Sequence, residues 1–180
     1  MITLINGTNR KNNKTDVFAV QFYKILQSQT EETVRYLSLD AIAHDWFFPE
    51  MYKMEHQASS ITKIQDEYIL AAQKFFIISP EYNGGLPGAL KLFIDAISVR
   101  QYKHNFKGKK AALVGIATGR AGNLRGMDQL ADILNHMGTI LMPQRMPISR
   151  IDELLSDEQE IVDEAILQSM KNFAKDFIAF

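Results

Sequence analysis

The chain has 180 residues, with 20 Lys and Arg against 21 Asp and Glu; that length suits one domain with a real core, and the charge balance leaves no basic field for nucleic acid. It contains no cysteine, which excludes disulfides, thiolate metal sites and cysteine nucleophiles, leaves any redox chemistry to a bound cofactor, and makes the cytoplasm the expected location. Met1 to Ile5 is apolar only as far as Asn6 and no later run is long enough to span a bilayer, so neither a signal peptide nor a membrane segment is expected.

Taken in order, Ile2 to Ile5 reads as a short buried strand ended by Asn6-Gly7. The polar loop Thr8 to Thr15 opens a helix carrying Val17, Phe18, Phe22, Ile25 and Leu26. Residues 32–39, with Val34, Tyr36, Leu37 and Leu39, form a second strand. The aromatic segment 45–54, with Trp46, Phe47, Phe48 and Tyr52, has no period, and reads either as a packed satellite cluster or as a cover for the site or a partner subunit. Ser60 is expected to cap the next helix, in which Ile61, Ile64, Tyr68, Ile69 and Ala72 recur at helical spacing. Phe75 to Ile78 is a strand buried on both faces, and after the loop 79–88 a helix follows with Leu90, Phe93, Ile94 and Ile97 on one stripe. A basic connector, 101–110, leads to a fourth buried strand over 111–117. Then come the loop 118–123, a helix with Leu124, Met127, Leu130 and Leu134 closed by Gly138, and a fifth strand over 139–142 stopped by Pro143. The last helix is expected to begin near Ser156 and to carry Ile161, Ile166, Met170, Phe173 and Phe177. Five alternations of strand and helix call for a parallel sheet with right-handed crossovers and helices on both faces, all in one domain over 1–180.

Three strand ends are unusual, and in such a sheet they converge on one rim. The first carries Thr8, Asn9, Arg10, Asn12, Asn13 and Thr15 where a helix begins; unpaired amides and the positive end of the macrodipole suit a phosphate there, with Arg10 adding a forked pair. The alternative is that Asn and Thr cap the helix while Arg10 and Lys11 are solvated. The central loop, Ser79-Pro80-Glu81-Tyr82-Asn83-Gly84-Gly85-Leu86-Pro87-Gly88, has the backbone freedom to bring bare peptide groups against a planar heteroaromatic, with Tyr82 as a wall; the alternative is an elaborate local turn. In Thr118-Gly119-Arg120-Ala121-Gly122 the glycines either only permit a turn, or Thr118 and Arg120 face the same ligand. The Rossmann glycine pattern, a Walker loop and a Gly-x-Ser-x-Gly elbow are all lacking. His44, His56, His104 and His136 show no ligand spacing, so no metal is expected.

Gly7-Thr8-Asn9-Arg10 with Asn13 and Thr15, and Pro80-Glu81-Tyr82-Asn83-Gly84 with Pro87-Gly88-Ala89-Leu90-Lys91 and Ile94-Asp95, resemble the motifs of the NADPH-dependent FMN reductase family, the flavodoxin-like quinone, azo-dye and flavin reductases. Thr118-Gly119 with Gly122 corresponds more loosely to its third loop. The departures are Asn13 where the family usually has Ser, Ala96 where many members place Trp, and Arg120-Ala121-Gly122 in place of a fuller glycine cluster. The resemblance implies a flavodoxin-like three-layer sandwich with a five-stranded parallel sheet of order 2-1-3-4-5. It implies noncovalent FMN, with Thr8, Arg10, Asn12, Asn13 and Thr15 at the phosphate, Pro80, Glu81, Tyr82, Asn83 and Gly84 along the isoalloxazine, and Thr118 and Gly119 approaching the ring from the far side. It also implies NADPH or NADH as co-substrate, a small-molecule electron acceptor, and a homodimer or dimer of dimers. No side chain is expected to act as acid or base, the flavin carrying the chemistry. The competing reading from another class is a flavodoxin-like electron carrier without nicotinamide turnover; such carriers are strongly acidic, and this chain is nearly neutral.

Overall fold

The structure, a computed structural model, describes residues 1–180. The first half contains β1 (Ile2–Asn6), α1 (Thr15–Gln29), β2 (Val34–Ser38), α2 (Ser59–Ile64), β3 (Lys74–Pro80) and α3 (Gly88–Ile97). The second contains α4 (Tyr102–Asn105), β4 (Lys110–Ile116), α5 (Leu124–His136), β5 (Ile140–Leu141), β6 (Met146–Ile148) and α6 (Glu164–Ala179). The strands pair in parallel in the expected order, β2-β1-β3-β4-β5, with β6 also on β4. Alternation along β3 explains the layering: Phe75 and Ile77 face the core under α2, α3 and α5, while Phe76 and Ile78 face the core under α1 and α6. Phe76 is wholly buried, its ring 4.8 Å from Phe22, 5.8 Å from Phe173 and 5.3 Å from Phe177, so one strand residue ties α1 and α6 together on that face of the sheet.

Three expectations need correction. The fifth strand is broken: β5 pairs with Lys110 and Ala111, the chain leaves the sheet at Pro143, and β6 returns against Val114 to Ile116. Pro143 has no amide to continue the ladder, and Pro147 is tolerated in β6 because that strand lies at the sheet edge. The last helix starts at Glu164, where Asp163 Oδ1 accepts from the Ile166 amide at 2.8 Å; residues 155–161 instead close a turn, with Ser156 N donating to Glu160 O at 2.9 Å. Ser60 is not a cap, since α2 begins at Ser59 after Ala58, and the Ser60 hydroxyl donates to Asp45 at 2.6 Å.

Beyond Ile64 the helix widens into a π-helical stretch, Gln65–Leu70. The buried Gln65 side chain explains the anchoring of that stretch: its Nε2 lies 2.8 Å from Ile97 O, 2.6 Å from Arg100 O and 2.7 Å from Asn105 Oδ1, which satisfies carbonyls at the end of α3. The segment 45–54 divides between interior and surface. Trp46 and Met51 are buried, while Phe47, Tyr52 and Met54 are exposed.

Candidate functional site

The first loop is pressed against its neighbours by Gly7, whose amide donates to Ile78 O at 2.8 Å. A Cβ there would meet Leu90 Cδ2 at 2.8 Å and Ile78 O at 2.9 Å, so only glycine lets β1 turn this close to β3 and α3. The Thr8 hydroxyl is buried, accepts from the Arg10 amide at 3.2 Å and lies 2.6 Å from the Tyr82 hydroxyl. Asn12 then takes a left-handed conformation (φ 53°) that reverses the chain into α1. The Asn13 side chain is used locally: Oδ1 accepts from the Asp16 amide at 2.9 Å and Nδ2 donates to Arg10 O at 2.7 Å. The amides of Asn12, Asn13, Lys14 and Thr15 make no hydrogen bond within the protein, leaving a row of donors at the positive end of α1. Two cations of the loop are engaged, Lys11 with Asp40 O at 2.6 Å and Lys14 with Asp152 at 2.7 Å. Arg10 is exposed and unpaired.

Beneath this loop the buried Asn6 donates to Asp16 at 3.2 Å and to Tyr36 at 3.3 Å, and Tyr36 donates to Asp16 in turn. Burial, reinforced by the hydrogen bond to Asp16, pushes the Tyr36 phenol well above its ordinary range. It therefore remains a neutral donor that fixes the start of α1.

The central loop leaves β3 with the Glu81 amide donating to Ile116 O at 2.8 Å. Tyr82 and Gly85 exchange amide bonds of 3.0 and 3.1 Å around Asn83 (φ 52°) and Gly84 (φ 76°). Two consecutive positive φ angles on Asn-Gly make this a tight primed turn. Its closure uses the Gly85 amide, whereas those of Asn83 and Gly84 stay unbonded. Gln129 of α5 accepts from the Leu86 amide at 3.1 Å and fills the space that a Cβ on Gly85 would need.

The third loop folds back over β4 because Gly115 has no side chain: a Cβ there would lie 2.1 Å from Gly122 O. Asn123 (φ 60°) is buried and clamps the second and third loops together, its Nδ2 donating to Ser79 O at 2.8 Å and Pro80 O at 2.9 Å. Gly126 makes room for it, since a Cβ there would strike Asn123 Oδ1 at 2.1 Å. Gly119 O accepts from the Arg150 amide at 3.1 Å and Ala117 N donates to Ile148 O at 3.0 Å, so the strand end after β6 walls this side.

The loops enclose a cleft of about 380 Å³ lined by Arg10, Asn12, Asn13, Lys14, Thr15, Pro80, Glu81, Tyr82, Ile116, Ala117, Thr118, Ile151 and Asp152, within the roughly 300–1,000 Å³ usual for small-molecule sites. Eight of the residues singled out in the sequence meet here: Arg10, Asn12, Asn13, Thr15, Pro80, Glu81, Tyr82 and Thr118. Thr8 lies behind the lining and reaches it through Tyr82, while Asn83, Gly84 and Gly119 stand outside it. Lys14, Ile116, Ala117, Ile151, Asp152 and the clamp Asn123 were not singled out. Lys14 was readable as a loop neighbour of Arg10; nothing in the sequence joins residues 151 and 152 to this loop. The arrangement offers cationic and amide donors at the α1 end and a mixed apolar wall at the other, which suits an elongated ligand with an anionic tail and a flat head.

The chain resembles known proteins in both sequence and fold. An NAD(P)H-dependent FMN reductase of Pseudomonas aeruginosa is 32% identical over 97 residues, covering 54% of this chain and 49% of that protein. An NADPH azoreductase of a Bacillus species is 22% identical over 171 residues, covering 92% of this chain and 88% of its own. Among solved structures, the flavoenzyme NAD(P)H:acceptor oxidoreductase FerB of Paracoccus denitrificans superposes with a TM-score of 0.73 at 25% identity, over 99% of this chain and 94% of its own. An archaeal flavodoxin, at 14% identity and a TM-score of 0.60 over 99% of this chain and 97% of that one, shares the fold. The model of the NADPH-dependent FMN reductase family matches residues 1–152, and the chain belongs to that family, oxidoreductases that use FMN and NAD(P)H.

Proposed function

We propose that residues 1–180 act as a single FMN-binding domain that passes hydride from NADPH or NADH to quinone, flavin or azo-type acceptors by a ping-pong route. The single observation that carries this is the cleft where the three strand-end loops meet, with donors at one end and a wall at the other. The residues present fit FMN. The unbonded amides of residues 12–15 and the unpaired Arg10 match a phosphate, with Thr8 behind them. Pro80, Glu81 and Tyr82 form one wall, and Thr118 completes the lining with Gly119 next to it outside the cleft. Asn83 and Gly84 keep free amides for the carbonyls and nitrogens of a ring edge. When bound, the flavin supplies the two-electron carrier, and the chain's own work is to bind, orient and exclude water. Donor and acceptor then use the same open face in turn, which is the physical basis for the ping-pong order.

A homodimer, or a dimer of dimers, belongs to the same reading. Support comes from the exposed Phe47, Tyr52, Met54 and Tyr102; Phe47 shares a groove with Ala89 and Leu92 of α3, and Met54 shares another with Tyr102. The cysteine-free composition supports a cytoplasmic location; separately, no helix is long and apolar enough to cross a membrane. The test is an absorbance spectrum of the purified protein, expected to show flavin bands that bleach under anaerobic NADPH. A preparation that stays colourless after soaking in FMN overturns the reading.

A further inference from the structure

The third loop and the first turn of α5 carry two arginines that no acid neutralises. Residues 118–127 contain Arg120 and Arg125 and neither Asp nor Glu. Nearby guanidinium groups are matched: Arg145 pairs with Asp128 and Arg150 lies 3.7 Å from Glu153. Asp128, one turn beyond Arg125, is thus already taken. Arg125 has a defined seat, since its Nη1 lies 3.4 Å from the point where a Cβ on Gly84 would stand. The guanidinium rests against the bare side of the Asn83-Gly84 turn, whose amides are unbonded.

We infer that Arg125, with Arg120 five residues before it in the same segment, is a docking point for the phosphates of the pyridine nucleotide, and so selects a phosphorylated hydride donor over an uncharged one. The inference rests on the FMN and NAD(P)H reading above. The chain offers two separate stations for anions. Arg10 and the amides of residues 12–15 line the cleft, and one phosphate tail saturates them. Arg125 does not line the cleft; it sits against the turn beyond Tyr82, next to the cleft and apart from the first station. Quinone and azo acceptors need no cation there, whereas a pyridine nucleotide brings a pyrophosphate and, in NADPH, a further phosphate. A guanidinium recognises phosphate oxygens through paired N–H bonds that an ammonium cannot reproduce.

The experiment compares FMN-loaded wild type, Arg125→Ala and Arg125→Lys with two donors, NADPH and N-benzyl-1,4-dihydronicotinamide, which carries the reactive ring and no phosphate. Arg125→Ala is expected to raise KM for NADPH by about 10- to 30-fold, with flavin content and kcat/KM for the benzyl donor unchanged and Arg125→Lys falling between. The wild-type KM for NADPH should also rise with ionic strength, and more steeply than that of Arg125→Ala. An unchanged KM for NADPH overturns the inference. An equal loss with both donors also overturns it, because Arg125 then acts by shaping the central loop. If wild type oxidises neither donor, the function itself falls, a failure distinct from the other two.

Discussion

Replacing Arg10 by Ala separates ligand binding from folding. Arg10 is exposed and makes no ion pair, so its removal leaves no buried group unsatisfied, and the thermal midpoint of the ligand-free protein should stay within about two degrees because such surface changes cost under ~0.5 kcal/mol. Its neighbours Lys11 and Lys14 are held by Asp40 and Asp152 and cannot move in without breaking those contacts. A charge-assisted hydrogen bond to phosphate is worth about 1.5–3 kcal/mol, and solvent access places Arg10 at the lower end, near ~2 kcal/mol. At ~1.4 kcal/mol per decade this is a rise of roughly 10- to 30-fold in the Kd for FMN. Titration of the ligand-free protein into FMN, followed by flavin fluorescence, measures it directly. The loss should shrink as salt is raised, since part of it is screened. An FMN affinity equal to wild type at low salt refutes the assignment of Arg10 to the phosphate, and a large fall in thermal midpoint refutes the claim that the residue is structurally idle.

Gly115→Ala should be severely destabilising, because its Cβ would sit 2.1 Å from the backbone oxygen of Gly122. Overpacking of this kind costs about 1–3 kcal/mol or more, and chemical denaturation should show it together with loss of FMN retention. Burial lowers the Lys109 pKa to about 8 from 10.5, while its ammonium donates to Ile69 O at 2.7 Å. The unfolded chain then binds more protons between those values, so stability should rise with pH by up to ~1.4 kcal/mol per unit between about 8 and 10. Urea unfolding of wild type and Lys109→Met across that range checks it, and a slope that persists in the variant refutes the assignment. Above pH 10 the raised Tyr36 works in the opposite sense, because the folded state then holds the proton more tightly than the unfolded one.

Much of the fold was legible because the buried strands are continuous apolar runs and the helices keep their stripes; Phe75 to Ile78 reads as a strand covered on both faces. Boundaries failed where one residue decided them. Pro143 stops β5 as read, but only the free half of β4 explains why the chain returns as β6. Ile161 and Val162 carry the spacing of a helix, yet Asp163 starts it later, and the Leu155–Ile161 bridge absorbs the intervening residues. The two motif loops were visible because they hold more glycine, proline and amide than a turn needs. Asn123 was not, because its task depends on the absent side chains of Gly115 and Gly126. Ile151 and Asp152 join the cleft solely through the path of the chain after β6.

The hydroxyl contact between Thr8 and Tyr82 spans 74 positions of sequence. It is a direct tie between the opening turn and the wall residue Tyr82, so the relative placement of two loops far apart in sequence depends on one pair of hydroxyls, and removing either hydroxyl unties both loops.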